Sequence, residues 1–371
     1  MKHVINFVKK EAVLSASALL AVISAFFVPP SAEYISYIDF RVLSLLFCLM
    51  LVVAGLRGIG VFHYLGSTLL GKAKSTRLLS LLLVGLCFFS SMLITNDVSL
   101  ITFVPFAVMI LSMADLKEMM IPVIVLQTIA ANLGSMLTPI GNPQNLYLYS
   151  SFSVSFGQFT LWMLPLTVVA MVILFIAVCT LKNKALDIVP QKSEKPDGKK
   201  LAVYLVLFAV CLLCVLRLIE FPVMLVIVAV VAAIVDWKLF KNVDYGLLLT
   251  FICFFLFIGN MQRIPAVSDL IRTLVTGREL ITGTLLSQVI SNVPAAILLS
   301  GFTDAVRPLL YGVNIGGLGT LIASLASVIS FRCYSAAETG GKGRFMKVFT
   351  IWNLIFLSVL LPVGLILCSI G

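Results

Sequence analysis

The 371-residue chain has too few charged residues to form a water-facing surface of its own size. Hydrophobic residues make up 61% of it and charged residues only 11%, whereas soluble domains carry roughly 25% charged residues. The composition therefore excludes a soluble multidomain protein and predicts an all-α polytopic membrane protein. The net charge of +10 does not indicate a nucleic-acid partner, because the basic residues lie in short loops between apolar runs, where they orient a protein in the bilayer.

Eleven apolar runs follow one another, and most match the ~20 residues of a membrane-spanning helix. Two of them are interrupted by polar residues, Thr95-Asn96-Asp97 in the run 78–112 and Ser291-Asn292 in the run 279–302. A straight helix in lipid has no reason to carry such residues at its middle. We therefore predict two re-entrant hairpins whose tips lie inside protein, where non-helical backbone is tolerated. The other runs, predicted as nine crossings, cover roughly residues 12–29, 39–56, 120–150, 158–181, 201–218, 221–237, 245–260, 305–331 and 345–370.

The basic residues support this topology. With the amino terminus inside and the carboxyl terminus outside, 20 of the 26 Lys and Arg residues fall in inside loops. Lys and Arg concentrate in cytoplasmic loops, so the amino terminus is predicted to be cytoplasmic and the protein to be a multi-pass protein of the plasma membrane, here the bacterial inner membrane. The six residues on the outside are Arg41, Arg217, Arg263, Arg272, Arg278 and Arg307.

The two halves of the chain resemble each other. Each half runs from an Asp-led apolar span through an interrupted hairpin to a glycine-broken span, 120–150 in the first half and 305–331 in the second. We predict two inverted repeats, 1–181 and 219–371, joined by a cytoplasmic linker and one connecting span over 182–218. Inverted repeats with broken helices in matching places are typical of secondary transporters, because exchanging the conformations of the halves gives the opposite-facing state. The alternative is duplication of a structural helical bundle, which gains nothing from polar hairpin tips in lipid.

A broken helix exposes unpaired backbone groups. Its N–H end attracts an anion, while its C=O end, with Asn and Thr oxygens, can surround a small cation. Both Asn residues of the tips recur at matching positions, although Asn and Thr in membrane helices often only bond a neighbour or their own backbone. The candidate substrate-binding residues are Thr95, Asn96, Asn145, Ser291, Asn292 and Thr320. The candidate cation-binding residues, for sodium or a proton as the coupling ion and with no cofactor expected, are Asn96, Asp97, Gly134, Thr138, Asn292 and Gly316.

Asp97 is the one acidic residue placed deep in an apolar run. An acid at membrane depth is costly, so it should form a pair, bind a cation or carry a proton. The alternative is a structural bond to a backbone amide or a hydroxyl at the tip. The second half has Val293 at the matching position, and this asymmetry favours a specific role for the carboxylate.

Four segments together resemble the signatures of the ion transporter superfamily: TNDVSLITFVPF (95–106), NLGSMLTPIGNPQNLYL (132–148), SQVISNVPAAILL (287–299) and GVNIGGLGTLIASLASVISFR (312–332). That group includes divalent anion/sodium symporters, citrate permeases, arsenite-efflux permeases and one type of sodium/proton antiporter. The resemblance extends over nearly the whole chain and is greatest to a short anion-permease branch near the arsenite permeases. It implies an elevator-type homodimer, in which scaffold helices form the dimer and a mobile domain holds the hairpins and broken spans.

The resemblance also implies roles for the tip residues. In the dicarboxylate branch of the superfamily, paired Ser-Asn-Thr tips bind carboxylate and sodium; Thr95 and Asn96 match the first tip, and Ser291 and Asn292 match the second. Both third positions lack the hydroxyl, and in the first tip Asp97 stands there instead. These departures disfavour a dicarboxylate substrate, because a carboxylate repels an anion, and leave the cation sites in place.

The sequence thus predicts a secondary active transporter for a small anion, an inorganic oxyanion or an organic carboxylate, or for a neutral oxyacid, coupled to sodium or protons. The alternatives are a sodium/proton antiporter that uses Asp97 and an arsenite-type efflux permease. An enzyme is not expected. An intramembrane hydrolase needs a paired Asp, a Ser/His dyad or a zinc motif, and no such pair is visible because Asp97 is the only deeply placed acid. Besides the bilayer and the anion, the expected partner is a second copy, contacted chiefly through 39–56 and 245–260 with the adjoining 12–29 and 221–237.

Overall fold

The computed structural model describes residues 11–70, 73–186, 194–337 and 341–370. Within these ranges the chain forms 17 α-helices and no strand, apart from one isolated bridge between Ser75 and Ala185. The prediction of an all-α polytopic membrane protein is confirmed. The helices are α1 (Ala12–Phe27), α2 (Phe40–Gly58), α3 (Val61–Leu70), α4 (Thr76–Ile94), α5 (Asn96–Met113), α6 (Lys117–Gly134), α7 (Pro143–Ser151), α8 (Phe156–Cys179), α9 (Gly198–Val215), α10 (Phe221–Asp236), α11 (Tyr245–Gln262), α12 (Pro265–Val275), α13 (Glu279–Ile290), α14 (Asn292–Ser300), α15 (Val306–Ile315), α16 (Leu325–Ala337) and α17 (Lys342–Ile370).

Nine helices of the described part of the chain are long and apolar enough to cross a membrane. The number equals that of the predicted crossings, but the set differs. Both arms of the first hairpin, with 19 and 18 residues, reach spanning length. Two predicted crossings do not: α1 has only 16 residues, and the run 305–331 is divided into α15 and α16, with 10 and 13 residues. At a rise of 1.5 Å per residue, an 18-residue arm is about 27 Å long, close to the thickness of the hydrocarbon core. The arms of the second hairpin have 12 and 9 residues, so the first hairpin is the longer of the two.

The first hairpin consists of α4 and α5, and the chain reverses at Thr95 between them. The hydroxyls of Ser90 and Ser99 form a hydrogen bond of 2.8 Å across the two arms. Further from the tip, the Gln127 side chain on α6 donates to a backbone carbonyl of each arm, at 3.3 Å in both cases. The interruption predicted in the run 78–112 is confirmed, and α6 holds the two arms together.

The second hairpin consists of α13 and α14 and reverses at Ser291, where the sequence predicts its interruption. The two broken spans are also broken as predicted. In the first, α6 ends at Gly134, and two short 3-10 turns, Ser135–Leu137 and Pro139–Gly141, separate it from α7. Proline has no N–H for a helical hydrogen bond, so this stretch cannot continue α6. In the second, a glycine-rich turn and the 3-10 turn Leu321–Ala323 separate α15 from α16.

Helix α6 lies at the centre of the molecule. Every residue from Val123 to Gly134 is buried, and α6 packs against both arms of the first hairpin, α8, α16 and α17. Helices α1 and α11 form a second packed pair. Asn260 on α11 donates to Ser24 on α1 at 2.9 Å, and Gly259 lies under the Tyr37 ring that follows α1. The division into inverted repeats at 1–181, 182–218 and 219–371 stays a prediction.

Candidate substrate and cation site

The chain reverses at both hairpin tips through the same unusual backbone conformation. Thr95 has φ 69° and ψ 149°, and Ser291 has φ 77° and ψ 154°. Non-glycine residues at such angles cost about 1–3 kcal/mol each and cluster at ligand sites. Asn96 and Asn292 follow them as the first residues of α5 and α14, and neither Thr95 nor Ser291 caps its helix with its side chain. Each tip therefore presents backbone N–H groups at a helix N-terminus, where an anion is stabilised.

Each broken span sits against the hairpin of its own half through a glycine. A Cβ added at Gly134 would lie 2.0 Å from the Phe88 carbonyl oxygen and 2.7 Å from Ser91 Oγ. A Cβ added at Gly316 would lie 2.7 Å from Ser287, which stands four residues before its tip, as Ser91 does. At Gly134 only glycine permits this approach to the backbone of α4, and at Gly316 glycine leaves room for the Ser287 side chain.

One threonine hydrogen bond accompanies each glycine contact, and the two bonds are equivalent. Thr138 Oγ1 donates to the carbonyl of Met92, and Thr320 Oγ1 donates to the carbonyl of Gln288 at 3.0 Å. Met92 and Gln288 each lie three residues before a tip residue. The two predicted threonine ligands thus hold the carbonyl ends of α4 and α13 in the same manner.

Amide side chains connect the broken spans of the two halves. Asn132 Oδ1 accepts from Asn96 at the first tip and from Ser324 in the second broken span, both at 3.0 Å. In the reverse direction, Asn314 Oδ1 accepts from Asn142 in the first broken span at 3.3 Å. These side chains are all buried, so each bond forms away from water and fixes the two halves relative to each other.

The two tips converge at Gly317. Asn132, which bonds Asn96 of the first tip, donates through Nδ2 to the Gly317 carbonyl at 3.4 Å. The amide nitrogen of Asn292, at the second tip, lies 3.0 Å from where a Cβ of Gly317 would stand. The structure therefore brings Asn96 and Asn292 to one polar centre, as the convergence of broken helices predicts.

The predicted site residues divide into those that are hydrogen-bonded and those that are free. Thr95, Asp97 and Asn292 form no side-chain hydrogen bond with any described residue, so no described residue satisfies their polar groups. Asn145 donates to three carbonyls, those of Ser135, Met136 and Thr138, each at 3.3 Å, and accepts from Asn314 at 2.7 Å. Asn145 therefore stabilises the non-helical segment between α6 and α7. The Ser291 hydroxyl makes only one long hydrogen bond, of 3.4 Å, to the Ala323 carbonyl.

Asp97 lies in the first turn of α5, beside Asn96. Its backbone N–H donates to Asn96 Oδ1 at 3.0 Å, which orients the amide at the tip. Its own Oδ1 is buried and has no hydrogen-bond partner, and no ion pair between described residues includes it. A buried carboxylate oxygen without a partner is costly unless a cation or a proton occupies it.

Four residues that the structure places at the centre are not among the predicted site residues: Asn132, Asn142, Asn314 and Ser324. A signal for them is present in the sequence. When the broken span 120–150 is aligned with 305–331, Asn132 coincides with Asn314, and Asn142 and Ser324 follow them by ten residues each. The alignment pairs Asn142 with Ser324, but the hydrogen bonds cross between the halves, which a linear comparison does not reveal.

The fold is that of a polytopic membrane protein, and comparison with known proteins identifies a membrane transporter. The chain belongs to the citrate transporter family, whose sequence pattern matches residues 4–308. It is 34% identical over 333 residues to the uncharacterized transporter MJ0456 of Methanocaldococcus jannaschii, covering 88% of this chain and 90% of that protein. It is 31% identical over 314 residues to the inner membrane protein YbiR of Escherichia coli, covering 83% and 84%. Over 175 residues, 47% of this chain and 36% of that protein, it is 31% identical to the silicon efflux transporter LSI3 of Oryza sativa.

Proposed function

We propose that this chain is a secondary active transporter that moves a small anion or neutral oxyacid across the plasma membrane, coupled to sodium or protons. The observation that carries the proposal is the set of free polar side chains, Thr95, Asp97 and Asn292, at two strained tips that meet at Gly317. Polar groups without a partner, at helix N-termini inside an otherwise apolar protein, favour a ligand site over packing.

The charge of the site bears on the class of substrate. Asp97 contributes a negative charge that no ion pair between described residues offsets. A bound sodium ion or proton removes that charge, and only then does an anion meet the helix N-termini without repulsion. This order couples the two ligands and favours a substrate of low charge, a monovalent oxyanion, a monocarboxylate or a neutral oxyacid, over a dicarboxylate. The silicon efflux relative, by its name, fits a substrate of this class.

An elevator mechanism requires a mobile body that moves without breaking its own contacts. The two hairpins and the two broken spans meet this requirement. Asn132 bonds both Asn96 and Ser324, Asn314 bonds both Asn142 and Asn145, and Thr320 bonds Gln288 of the second hairpin. We infer that these elements translate together and carry the site across the bilayer past the other helices.

The second candidate is a sodium/proton antiporter, in which Asp97 alternately binds sodium and a proton. The unpartnered buried oxygen of Asp97 favours this candidate, because it needs no anion to complete the site. An arsenite-type efflux permease is the third, and it differs from the first only in its substrate and in the direction of transport.

Proteoliposomes separate these candidates. We expect counterflow of a labelled small anion that depends on sodium or on a pH gradient and is absent from protein-free vesicles. Sodium-driven proton movement that is identical with and without any anion would instead identify the antiporter. Arsenite and silicic acid belong in the substrate panel, since counterflow of either would identify a neutral oxyacid as the substrate. The proposal would be contradicted if folded, reconstituted protein showed no counterflow of any tested substrate and no ion exchange.

A further inference from the structure

An apolar crevice of about 620 Å³ runs along the side of α4, between α3 and α8. Phe62 on α3, Gly85 and Phe89 on α4, and Met171 and Phe175 on α8 line it. Phe89 and Phe175, at its rim, are each more than half exposed (58% and 53%), so the crevice opens sideways, toward the region that lipid occupies. Its volume falls within the roughly 300–1,000 Å³ of small-molecule sites.

One end of the crevice has a polar mouth. A recess of about 220 Å³ continues it, and Leu81, Phe175 and Val178 line both. Arg77 lies in this recess. Its Nη2 makes a long, 3.4 Å hydrogen bond to the Leu181 carbonyl, while its Nε is buried and has no acceptor among the described residues. A buried donor of a charged group is costly when it has no partner. A negatively charged acceptor bound in the recess would therefore stabilise Arg77.

The charged residues near the recess also favour a negatively charged ligand. The segment that follows α8 is fastened beside the recess, since Thr76 Oγ1 donates to the Lys182 carbonyl at 2.8 Å. Lys182 and Lys184 on this segment both pair with Glu118, at 3.7 and 3.0 Å, so two ammonium groups share one carboxylate. The mouth is therefore basic, and the topology predicted from the sequence places it on the cytoplasmic side, where the leaflet is anionic.

We propose that this crevice binds an anionic phospholipid, with an acyl chain along α4 and the phosphate at Arg77. An acyl chain gains little from moving between bulk lipid and an apolar crevice, so the crevice supplies shape and Arg77 supplies the selectivity. A guanidinium suits a phosphate oxygen, and a zwitterionic lipid offers a weaker match because its own cationic group competes. The helices predicted to form the dimer, α1, α2, α10 and α11, do not line the crevice, which argues against a second copy as its occupant. The proposal does not depend on the transported substrate.

The head-group contact is tested with purified protein in detergent, by native mass spectrometry and thermal unfolding, using phosphatidylglycerol and phosphatidylcholine with the same acyl chains. We expect tighter binding of phosphatidylglycerol, and Arg77→Gln should weaken it about fivefold, the factor that corresponds to ~1 kcal/mol for one basic residue. Arg57→Gln removes an equal charge from an exposed position on the same predicted side and should have no effect. Equal binding of the two lipids, or equal effects of the two substitutions, would overturn the proposal.

The acyl-chain contact is tested with Gly85→Leu. A Cβ at Gly85 meets nothing within 4 Å, so the leucine side chain starts in open space and extends into the crevice. Leucine is also a better helix former than glycine. The variant should keep its melting temperature in detergent while it loses most of the bound phosphatidylglycerol. Gly157 lies on α8, outside the crevice, and a Cβ there also meets nothing within 4 Å. The control variant Gly157→Leu should therefore retain the lipid. Unchanged lipid retention by a folded Gly85→Leu variant would show that the crevice does not hold the chain.

Discussion

At the scale of single residues, Asp97 is the group on which coupling most depends. Its Oδ1 is buried without a partner, so a bound cation or proton is needed to stabilise it. We expect Asp97→Asn, which keeps the shape and removes the charge, to abolish the stimulation of transport by sodium or by a pH gradient. For a typical coupling free energy of ~1–3 kcal/mol, this stimulation is roughly 5–150-fold. Initial rates in proteoliposomes at varied sodium concentration and pH measure it.

Asp39→Asn is the matched control for Asp97→Asn. The Asp39 side chain accepts from the Val42 N–H at 2.9 Å at the start of α2, and asparagine caps a helix equally well. The control should therefore retain the sodium and pH dependence of the original chain. If Asp97→Asn also retains it, the carboxylate has a structural role and does not couple transport.

Asn292 and Asn145 separate binding from structure. Asn292 has no hydrogen-bond partner among the described residues, so Asn292→Ala should leave the melting temperature nearly unchanged and weaken substrate binding roughly 10- to 100-fold, the loss of one bond to a charged group. Asn145 bonds three carbonyls and Asn314, so Asn145→Ala should destabilise the protein by roughly 1–3 kcal/mol. Thermal unfolding and substrate titration on both variants measure the two effects. The opposite pattern would assign the binding role to Asn145.

At the scale of elements, the glycine contacts hold each broken span against its hairpin. Gly134→Ala would place a Cβ 2.0 Å from the Phe88 carbonyl oxygen, a backbone atom that cannot rotate away. Overpacking of this kind costs about 1–3 kcal/mol, and we expect a lower melting temperature and reduced transport. Gly157→Ala, where a Cβ meets nothing within 4 Å, should leave both unchanged. A Gly134→Ala variant as stable as Gly157→Ala would mean that the first hairpin and α6 are not held in this contact.

The positions of these breaks were predictable because polar and helix-breaking residues stand out in apolar runs. Thr95 and Ser291 interrupt their helices where the sequence predicts, and Pro139 marks the break after α6. The hydrogen-bond partners across the site were not predictable. The two repeats are offset by 182 residues, and the local sequence does not indicate which amide of one repeat faces which amide of the other. The 3.3 Å bond from Asn142 to Asn314 depends on how whole helices pack. Composition alone also does not separate a re-entrant arm from a spanning helix, and both arms of the first hairpin reach spanning length.

At the scale of the whole molecule, contacts between chain segments agree with the predicted sidedness. Six hydrogen bonds near the ends of the helices each join two segments that the sequence assigns to the same side of the membrane. On the predicted inside, Thr76 bonds Lys182, and Lys184 bonds Glu118. On the predicted outside the pairs are Arg41 with Cys214, Arg217 with Ser153, Arg263 with Glu33, and Arg307 with Leu367 near the end of α17.

This grouping leads to a prediction for the carboxyl terminus. Because Arg307 and Leu367 lie together, a reporter fused after Gly371 should be on the same side as the base of the second hairpin. We expect alkaline phosphatase fused there to be active and a cytoplasmically active fluorescent reporter to be dark. A fluorescent fusion would mean that the basic loops face outward, reversing the whole topology.

The last prediction concerns the homodimer, whose expected contacts involve α1, α2, α10 and α11. In the single chain α2 is largely buried, whereas α1 and α10 expose apolar faces, with Phe26 82% and Ile234 79% exposed. Apolar faces alone do not drive association in lipid, so specific packing must join the two copies. We expect a photo-crosslinking residue at Ile234 or Phe26 to trap a dimer in native membranes. Leu161 on α8, 69% exposed and outside the expected interface, is the matched control and should trap none. Dimers trapped only at Leu161 would move the interface to α8, beside the crevice, and a monomer at all three positions would argue against the homodimer.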